Sequence, residues 1–151
     1  MKPLYNFDSN HIDWTHVVDD EVGYHCDYKT AVLGADPSTG RLDLIVKWAP
    51  NSYCHFHRHV ADTTILVLEG EQHITEFAAD GTEGAKKIRP AGTYASSPGG
   101  DAHMERGGPD GALIFFALQA ADGKLFEMLD RDMNLLTTSS VQEMAEGLVH
   151  F

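Results

Sequence analysis

Short apolar segments rich in β-branched and aromatic residues alternate with polar turn sequences along most of the chain, with little helical periodicity before its end. Residues 24–33 and 42–48 are two such segments, and residues 35–40 between them form a turn sequence with proline and glycine. This pattern predicts a β-hairpin. Further predicted strands cover residues 53–58, 63–69, 73–78, 86–88, 93–96, 103–105, 113–119 and 125–129.

Glycine-containing turn sequences separate these segments. They span residues 69–71, 80–84, 90–92, 98–100, 107–111 and 121–123. About ten short strands at such close spacing are typical of an all-β sandwich or barrel. We therefore predict an all-β fold, in a single domain that covers residues 1–151.

The end of the chain has a different pattern. Ser139 and Ser140 precede a Gln-Glu pair, which is the arrangement expected at a capped helix start. Val141, Met144, Ala145 and Leu148 follow at helical spacing. The tail therefore predicts one short C-terminal helix.

Composition and charge narrow the range of partners. The chain has 151 residues and a net charge of −12, and its few lysines and arginines are scattered, so a nucleic-acid surface is not expected. The longest apolar run, residues 112–118, is too short to span a bilayer. The first residues lack the pattern of a signal peptide, so we expect a cytoplasmic protein without membrane partners. Cys26 and Cys54 are expected to be reduced thiols.

Histidines are the unusual feature of the composition. The chain has nine, and His55, His57 and His59 fall within five residues. Residues two apart on a strand share a face, so His57 and His59 would point towards the same ion. Neutral imidazoles suit Zn, Cu, Fe and Ni rather than hard, oxygen-preferring ions. The spacing predicts part of a metal site whose third ligand comes from a neighbouring strand.

Two stretches around these histidines resemble the paired motifs of the cupin superfamily, over residues 50–118. In the first motif, His57, His59 and Gly70 match, while Asn51 replaces the usual glycine and Thr63 the usual glutamate. In the second motif, four residues match and Gly107 replaces the usual asparagine. The matching residues of the second motif are Gly92, Pro98, Gly100 and His103. The chain is similar to small three-histidine cupins of the acetylacetone-dioxygenase-like and ChrR-like kinds.

The resemblance implies a double-stranded β-helix, or jelly-roll barrel, with extra N-terminal strands. It implies one divalent transition metal held by His57, His59 and His103, with Fe(II) as the first choice and Zn, Ni or Mn as alternatives. Thr63 is a poor substitute for a carboxylate ligand, and a three-histidine site leaves positions open for substrate and O₂. Such sites are familiar among cupin-type iron dioxygenases.

A second register remains open, in which His55 and His57 bind the metal with Asp62 and His103. In the first register His55 is not a ligand but shares the face of the cluster, and it is a candidate for proton transfer. Glu105, two residues after His103, is a second candidate, either as a proton acceptor or as a group that orients a ligand. Cys54 has the opposite strand parity and is expected to face away from the site as a small buried side chain.

The leading functional hypothesis is an Fe(II)-dependent dioxygenase that acts on a small organic substrate with O₂. The alternatives are a non-catalytic metal- or ligand-binding module and a non-redox metal enzyme, such as an isomerase or lyase. Because cupin barrels often pair through a sheet edge, we also expect a homodimer.

Overall fold

The computed structural model describes residues 10–148 and is built almost entirely of β-strands. The strands in this range are β1 (Thr15–Asp19), β2 (Cys26–Asp36), β3 (Arg41–Trp48), β4 (His57–His59), β5 (Asp62–Phe77), β6 (Glu83–Pro90), β7 (Tyr94–Ser97), β8 (Ala102–Gln119), β9 (Lys124–Leu129) and β10 (Leu135–Ser140). One helix, α1 (Val141–Ala145), follows β10. The all-β prediction is confirmed.

The strands form one curled sheet. Its main path runs β1-β2-β3-β8-β4-β9-β10, and β5 joins it by pairing with β6, β7 and β8. The named strand pairs are antiparallel, including the predicted hairpin of β2 and β3. β1 and β2 are the extra N-terminal strands. β4 lies between β8 and β9. His57 and His59 at its ends are buried, and Arg58 between them is less so.

Two glycine segments that the sequence marks as turns lie within long strands instead. β5 runs through Gly70 and β8 runs through residues 107–111, and their pairing shifts register between Gly70 and Gln72. A side chain at Gly70, whose φ is +69°, would place a Cβ 2.1 Å from the carbonyl oxygen of Gly111. The glycines therefore allow two strands to bend past each other at close range, rather than to reverse.

The predicted strand over residues 53–58 is wrong in its bounds. Only His57–His59 are in a strand, and Tyr53 forms isolated bridges with Cys26 and Arg106. β1 and β10 were not predicted, because neither has a marked apolar pattern; Leu135 and Leu136 of β10 are exposed.

The core lies inside the curled sheet. Leu42, Ile114, Leu118 and Leu125 are each at most 2% exposed, and helix α1 adds Val141 and Met144 to the same cluster. Burial of these side chains supplies most of the driving force for folding.

The predicted C-terminal helix is confirmed, although it is only one turn long. Ser140 is the N-cap, and its hydroxyl accepts from the backbone of Glu143 while the Glu143 carboxylate accepts from the backbone of Ser140. Leu148 lies beyond the helix and is 49% exposed. Cys26 and Cys54 are free and buried. Within residues 10–148, no helix has the length and apolar character needed to cross a membrane.

Candidate metal centre

Two neighbouring strands bring the candidate ligands together. β4 pairs with β8 so that His57 lies opposite His103. On β4, His57 and His59 share the inner face, while Arg58 between them points outward to an ion pair with Glu127. On β8, His103 and Glu105 share the inner face by the same alternation. The structure thus brings His57, His59 and His103 together, and it adds Glu105 to them.

The four side chains converge on one point. The Nε2 atom of His57 lies 2.9 Å from Nε2 of His59 and 3.2 Å from Nε2 of His103. Oε2 of Glu105 lies 3.4 Å from Nε2 of His57 and 3.8 Å from Nε2 of His103. One ligand atom from each residue falls within 4.8 Å of the others. This group, called the four-residue centre below, could hold one metal ion.

The hydrogen bonds behind the rings determine which nitrogens carry protons. Nδ1 of His57 lies 2.7 Å from the carbonyl oxygen of His55, which can only accept, so this nitrogen is the donor. Nδ1 of His59 lies 2.9 Å from the hydroxyl of Thr63, which itself donates to the carbonyl of Ala61. His59 therefore donates from Nδ1 as well. With Nδ1 as the donor, the neutral form of each ring has its lone pair on Nε2.

These tautomers make a cation the natural occupant. Two Nε2 lone pairs 2.9 Å apart repel each other unless a proton or a metal ion lies between them. Burial lowers the pKa of His59 well below its usual range, and the nearby His57 and His103 lower it further. Burial and His57 lower the pKa of His103 in the same way. Protonation of these two rings is therefore disfavoured, and the donor set fits a transition metal.

Glu105 is held by a chain of polar groups on β5 and β6. Its Oε1 accepts from Nε2 of Gln72 at 2.6 Å, and the Gln72 oxygen accepts in turn from the guanidinium of Arg89 at 3.3 Å. Gln72 is 1% exposed. Burial raises the pKa of Glu105, although His57, Arg89 and Gln72 partly offset that effect. Oε2 is left to face the imidazole nitrogens.

The sequence pointed to Glu105 through its spacing from His103, but not to Gln72 or Arg89. Their signal is visible only once the register is known, since Gln72 pairs with Arg89 across β5 and β6. The same inner face then continues from those two residues to Glu105.

Two cavities adjoin the four-residue centre. A cavity of about 290 Å³, with Lys87, Arg89, Ser96 and Asp101 among its lining residues, opens above His59, His103 and Glu105. A smaller cavity of about 90 Å³ lies beyond His57, and its walls are mainly apolar. Those walls include Leu44, Val46, Trp48, Phe116, Phe126 and Met144. The centre therefore lies between a polar chamber and an apolar chamber.

The structure does not bring together the four ligands that the second register requires. His55 precedes β4, and its ring turns to Asp19, with Nε2 2.8 Å from Oδ2, and to the hydroxyl of Tyr28. That bond to His55 lowers the pKa of the Asp19 carboxyl. Asp62 is exposed at the start of β5 and is not in the four-residue centre. His55 still lines the apolar cavity together with His57 and His59, but it is not in the four-residue centre. The chain before His57 is irregular and is not part of a strand.

The same irregular segment reverses the expectation for Cys54. Its Sγ lies 3.7 Å from Nδ1 of His57 and 3.8 Å from Oε2 of Glu105, and it lines the apolar cavity. Parity predicted that it would face away, which would require a regular strand through residues 54–57. Burial raises its pKa well above the usual value, so it is a neutral thiol beside the centre.

The departures from the cupin motifs have local explanations. Asn51, which stands where the motif has glycine, has a φ of +57°, a conformation that asparagine tolerates better than most residues. Thr63, which stands where the motif has glutamate, does not face the ring nitrogens as a ligand would; it holds His59 from behind. The carboxylate of the centre comes from Glu105 instead.

Comparison with known proteins agrees with this geometry. The family model described as the ChrR cupin-like domain matches residues 5–122. Among curated protein sequences, none matches the chain.

Solved structures of similar fold include two acetylacetone dioxygenases. One is a candidate enzyme of that name from Methylibium petroleiphilum PM1, with a TM-score of 0.71 and 14% identity over 99% of this chain and 96% of that chain. The other comes from Acinetobacter johnsonii, with a TM-score of 0.68 and 16% identity over 97% of this chain and 91% of that one.

An RmlC-like cupin protein from Ralstonia eutropha JMP134 is also similar, with a TM-score of 0.69 and 14% identity over 93% of this chain and 81% of that chain. At such identities these likenesses establish the cupin fold and not an activity. The family model spans most of the chain, and the chain therefore belongs to the ChrR cupin-like domain family of the cupin superfamily.

Proposed function

We propose that this protein binds one divalent transition metal at the four-residue centre and acts as a metal-dependent dioxygenase on a small organic substrate. The convergence of three Nε2 atoms and one carboxylate oxygen carries the metal part of the proposal. His57, His59, His103 and Glu105 are the proposed ligands. Glu105 thus serves as a ligand, rather than only as a proton-transfer group, and His55 contributes its carbonyl to the orientation of His57.

The metal would supply Lewis acidity and, as Fe(II), the redox capacity to react with O₂. Four protein ligands would leave room for substrate or O₂ to bind to such an ion. The chain's own residues hold the ligands in place: Thr63 fixes the His59 ring, the His55 carbonyl fixes the His57 ring, and Gln72 fixes Glu105. Hydrogen bonds of this kind preserve the tautomer and direction of a ligand.

The two cavities would bind different groups, one polar and one apolar. The polar chamber of about 290 Å³ has room for a small organic molecule, and Arg89 in its wall favours an oxygen-bearing or anionic group. The apolar chamber of about 90 Å³ has mainly apolar walls on the far side of His57, and it suits O₂ or an apolar substituent. A β-dicarbonyl compound meets these demands, and the names of two structural neighbours support that choice.

The presence of Glu105 weakens the argument for a dioxygenase that the sequence drew from a centre of three histidines without a carboxylate. Without a carboxylate at position 63, the motif alone favoured a three-histidine dioxygenase. With the carboxylate supplied by β8, the proposed activity rests on the two chambers and on the neighbours instead.

Elemental analysis tests the metal site. Protein purified without a chelator should contain about one equivalent of metal. His57→Ala, His103→Ala and Glu105→Gln should lose most of it. His16→Ala is a matched control, since His16 is an exposed histidine on β1 that pairs with Asp27 on β2. Unchanged metal content in the three site variants would overturn the site.

An oxygen electrode tests the activity separately. Iron-loaded protein should consume O₂ with β-dicarbonyl, phenolic ketone or thiol substrates, and His103→Ala should not. Metal-loaded protein that consumes no oxygen with any of these would refute the dioxygenase proposal. Turnover without oxygen would favour a non-redox enzyme, and tight binding without turnover a sensing module.

We also propose that two copies pair through an edge of the sheet. β1 ends the main strand path, and Val18 on it is 56% exposed. Sedimentation equilibrium should give twice the mass of the chain, and a monomeric mass would refute this pairing.

A further inference from the structure

We infer that a groove on the outer face of the barrel, opposite the metal centre, binds a small planar apolar molecule that carries a carboxylate or a phosphate. This outer groove has a volume of about 620 Å³. Its apolar walls include Tyr24, Tyr53, Phe77, Ile88 and Met104, and its cationic residues include Lys86, Arg106 and Arg131. It is independent of the function proposed for the metal centre.

Strand alternation separates the outer groove from the centre. His103 and Glu105 of β8 face inward, so Met104 and Arg106, which alternate with them along the strand, face outward. The pairing of β5 with β8 places Thr75 opposite Met104 and His73 opposite Arg106, on the same outer face. A ligand in the outer groove would therefore contact mainly the opposite side of the sheet from a ligand at the metal. The outer groove and the polar chamber approach each other at β5 and β6, where Ile74 and Lys87 line both.

The charge of the outer groove is opposite to that of the whole protein. The chain carries 23 acidic and 11 basic residues. Among the residues that the structure describes, however, Glu83 alone lines this groove with a carboxylate, and it lies 3.4 Å from Lys86. Within residues 10–148, neither Arg106 nor Arg131 forms an ion pair with a carboxylate. Arg106 instead donates to the side chain of Asn51 and to a backbone carbonyl. Guanidinium groups without a carboxylate, in an acidic protein, are suited to an anion from solution.

The aromatic side chains of the groove indicate that the body of the ligand is flat and apolar. The guanidinium of Arg131 lies 5.9 Å from the ring centre of Tyr24 and 5.5 Å from that of Phe77, in cation–π contact with both. Tyr24 and Tyr53 pack edge to face at 5.7 Å. Ile88 is 62% exposed at the rim. A flat apolar body could pack on these side chains while its anionic group meets the arginines.

Titration calorimetry with four probes tests both halves of this ligand. Phenyl phosphate and benzoate carry both the ring and the charge; inorganic phosphate lacks the ring, and benzyl alcohol lacks the charge. We expect one saturable site for phenyl phosphate, benzoate or both, with affinity at least about tenfold above either incomplete probe. The tighter of the two complete probes identifies the head group.

Variants locate the site. Arg106→Gln and Arg131→Gln should each weaken the binding about tenfold, and Arg131→Lys should restore part of it. Lys47→Gln removes one exposed positive charge from β3 and should have no effect. His103→Ala alters the metal centre and should also have no effect. Circular dichroism and thermal unfolding verify that each variant is folded.

Three results would overturn the inference. They are the absence of saturable binding by both complete probes at millimolar concentration, unchanged binding in the folded Arg106→Gln and Arg131→Gln variants, and loss of binding in His103→Ala, which would place the ligand at the metal. None of these results depends on whether the protein is a dioxygenase, so failure here is distinguishable from failure of the proposed function.

Discussion

Thr63→Val removes one hydroxyl and preserves both the shape and the β-branching of the side chain. In the native structure this hydroxyl accepts from Nδ1 of His59 at 2.9 Å, and the two residues are 8% and 6% exposed. The valine leaves a buried ring N–H without an acceptor, which costs roughly 1–3 kcal/mol. Loss of such a hydrogen bond behind a ligand typically weakens metal affinity by about 10- to 100-fold. That range equals roughly 1.4–2.8 kcal/mol of binding free energy.

Competition with a chromophoric chelator measures the affinity for Zn²⁺ or Co²⁺ directly. Urea unfolding of the metal-free protein measures any separate loss of stability. Thr64→Val is the matched control: Thr64 is the next residue on β5, and its hydroxyl bonds to that of Ser96 rather than to a ring of the four-residue centre. We expect this control to change metal affinity by less than about twofold and stability by less than about 0.5 kcal/mol.

Thr63→Ser retains a hydroxyl and should bind metal nearly as tightly as the native protein. If folded Thr63→Val protein bound metal as tightly as native protein, Thr63 would not orient His59. The tautomers assigned to the centre would then lose their support.

Other predictions concern the backbone and the helix cap. Gly70→Ala should abolish soluble expression or reduce the free energy of unfolding by more than about 3 kcal/mol in urea titrations, because its Cβ would lie 2.1 Å from the carbonyl oxygen of Gly111. Gly123→Ala has a similar φ of +81° but open space around the new Cβ, so it should reduce the free energy of unfolding by only about 1 kcal/mol. If Gly123→Ala lost as much stability as Gly70→Ala, the steric explanation would be excluded. Asn51→Ala should lower the melting temperature by a few degrees, whereas Asn51→Gly should not, since φ is +57° at this position. Ser140→Ala should destabilise the protein by about 1 kcal/mol through loss of the helix cap, and an unchanged urea midpoint would contradict that role.

The all-β class and most strand positions follow from local patterns. Segments such as those of β2, β3 and β9 have enough apolar and β-branched residues to be recognised without tertiary information. The glycine turns within β5 and β8 were misread because a positive φ is common to a turn and to a bulge. Only the close approach of Gly70 to Gly111 distinguishes the two.

The candidate site can likewise be divided into residues that local patterns predict and residues that only the tertiary structure brings together. His57 and His59 share a face because side chains alternate along any strand, so the sequence alone placed them together. Their meeting with His103 was supported by the cupin motifs. By contrast, the exclusion of His55 and Asp62 and the inward turn of Cys54 depend on the irregular chain before β4, which has no periodic signal.

The sequence by itself thus determined the strand-rich fold, the paired histidines of β4 and the capped helix, because each is set by residues within a few positions of one another. Only the tertiary structure decided that Glu105 supplies the carboxylate and that Thr63 supports His59 instead. It also decided that Arg106 and Arg131 line one groove. These outcomes depend on the register between strands, which is set by packing of the whole barrel and not by any one segment.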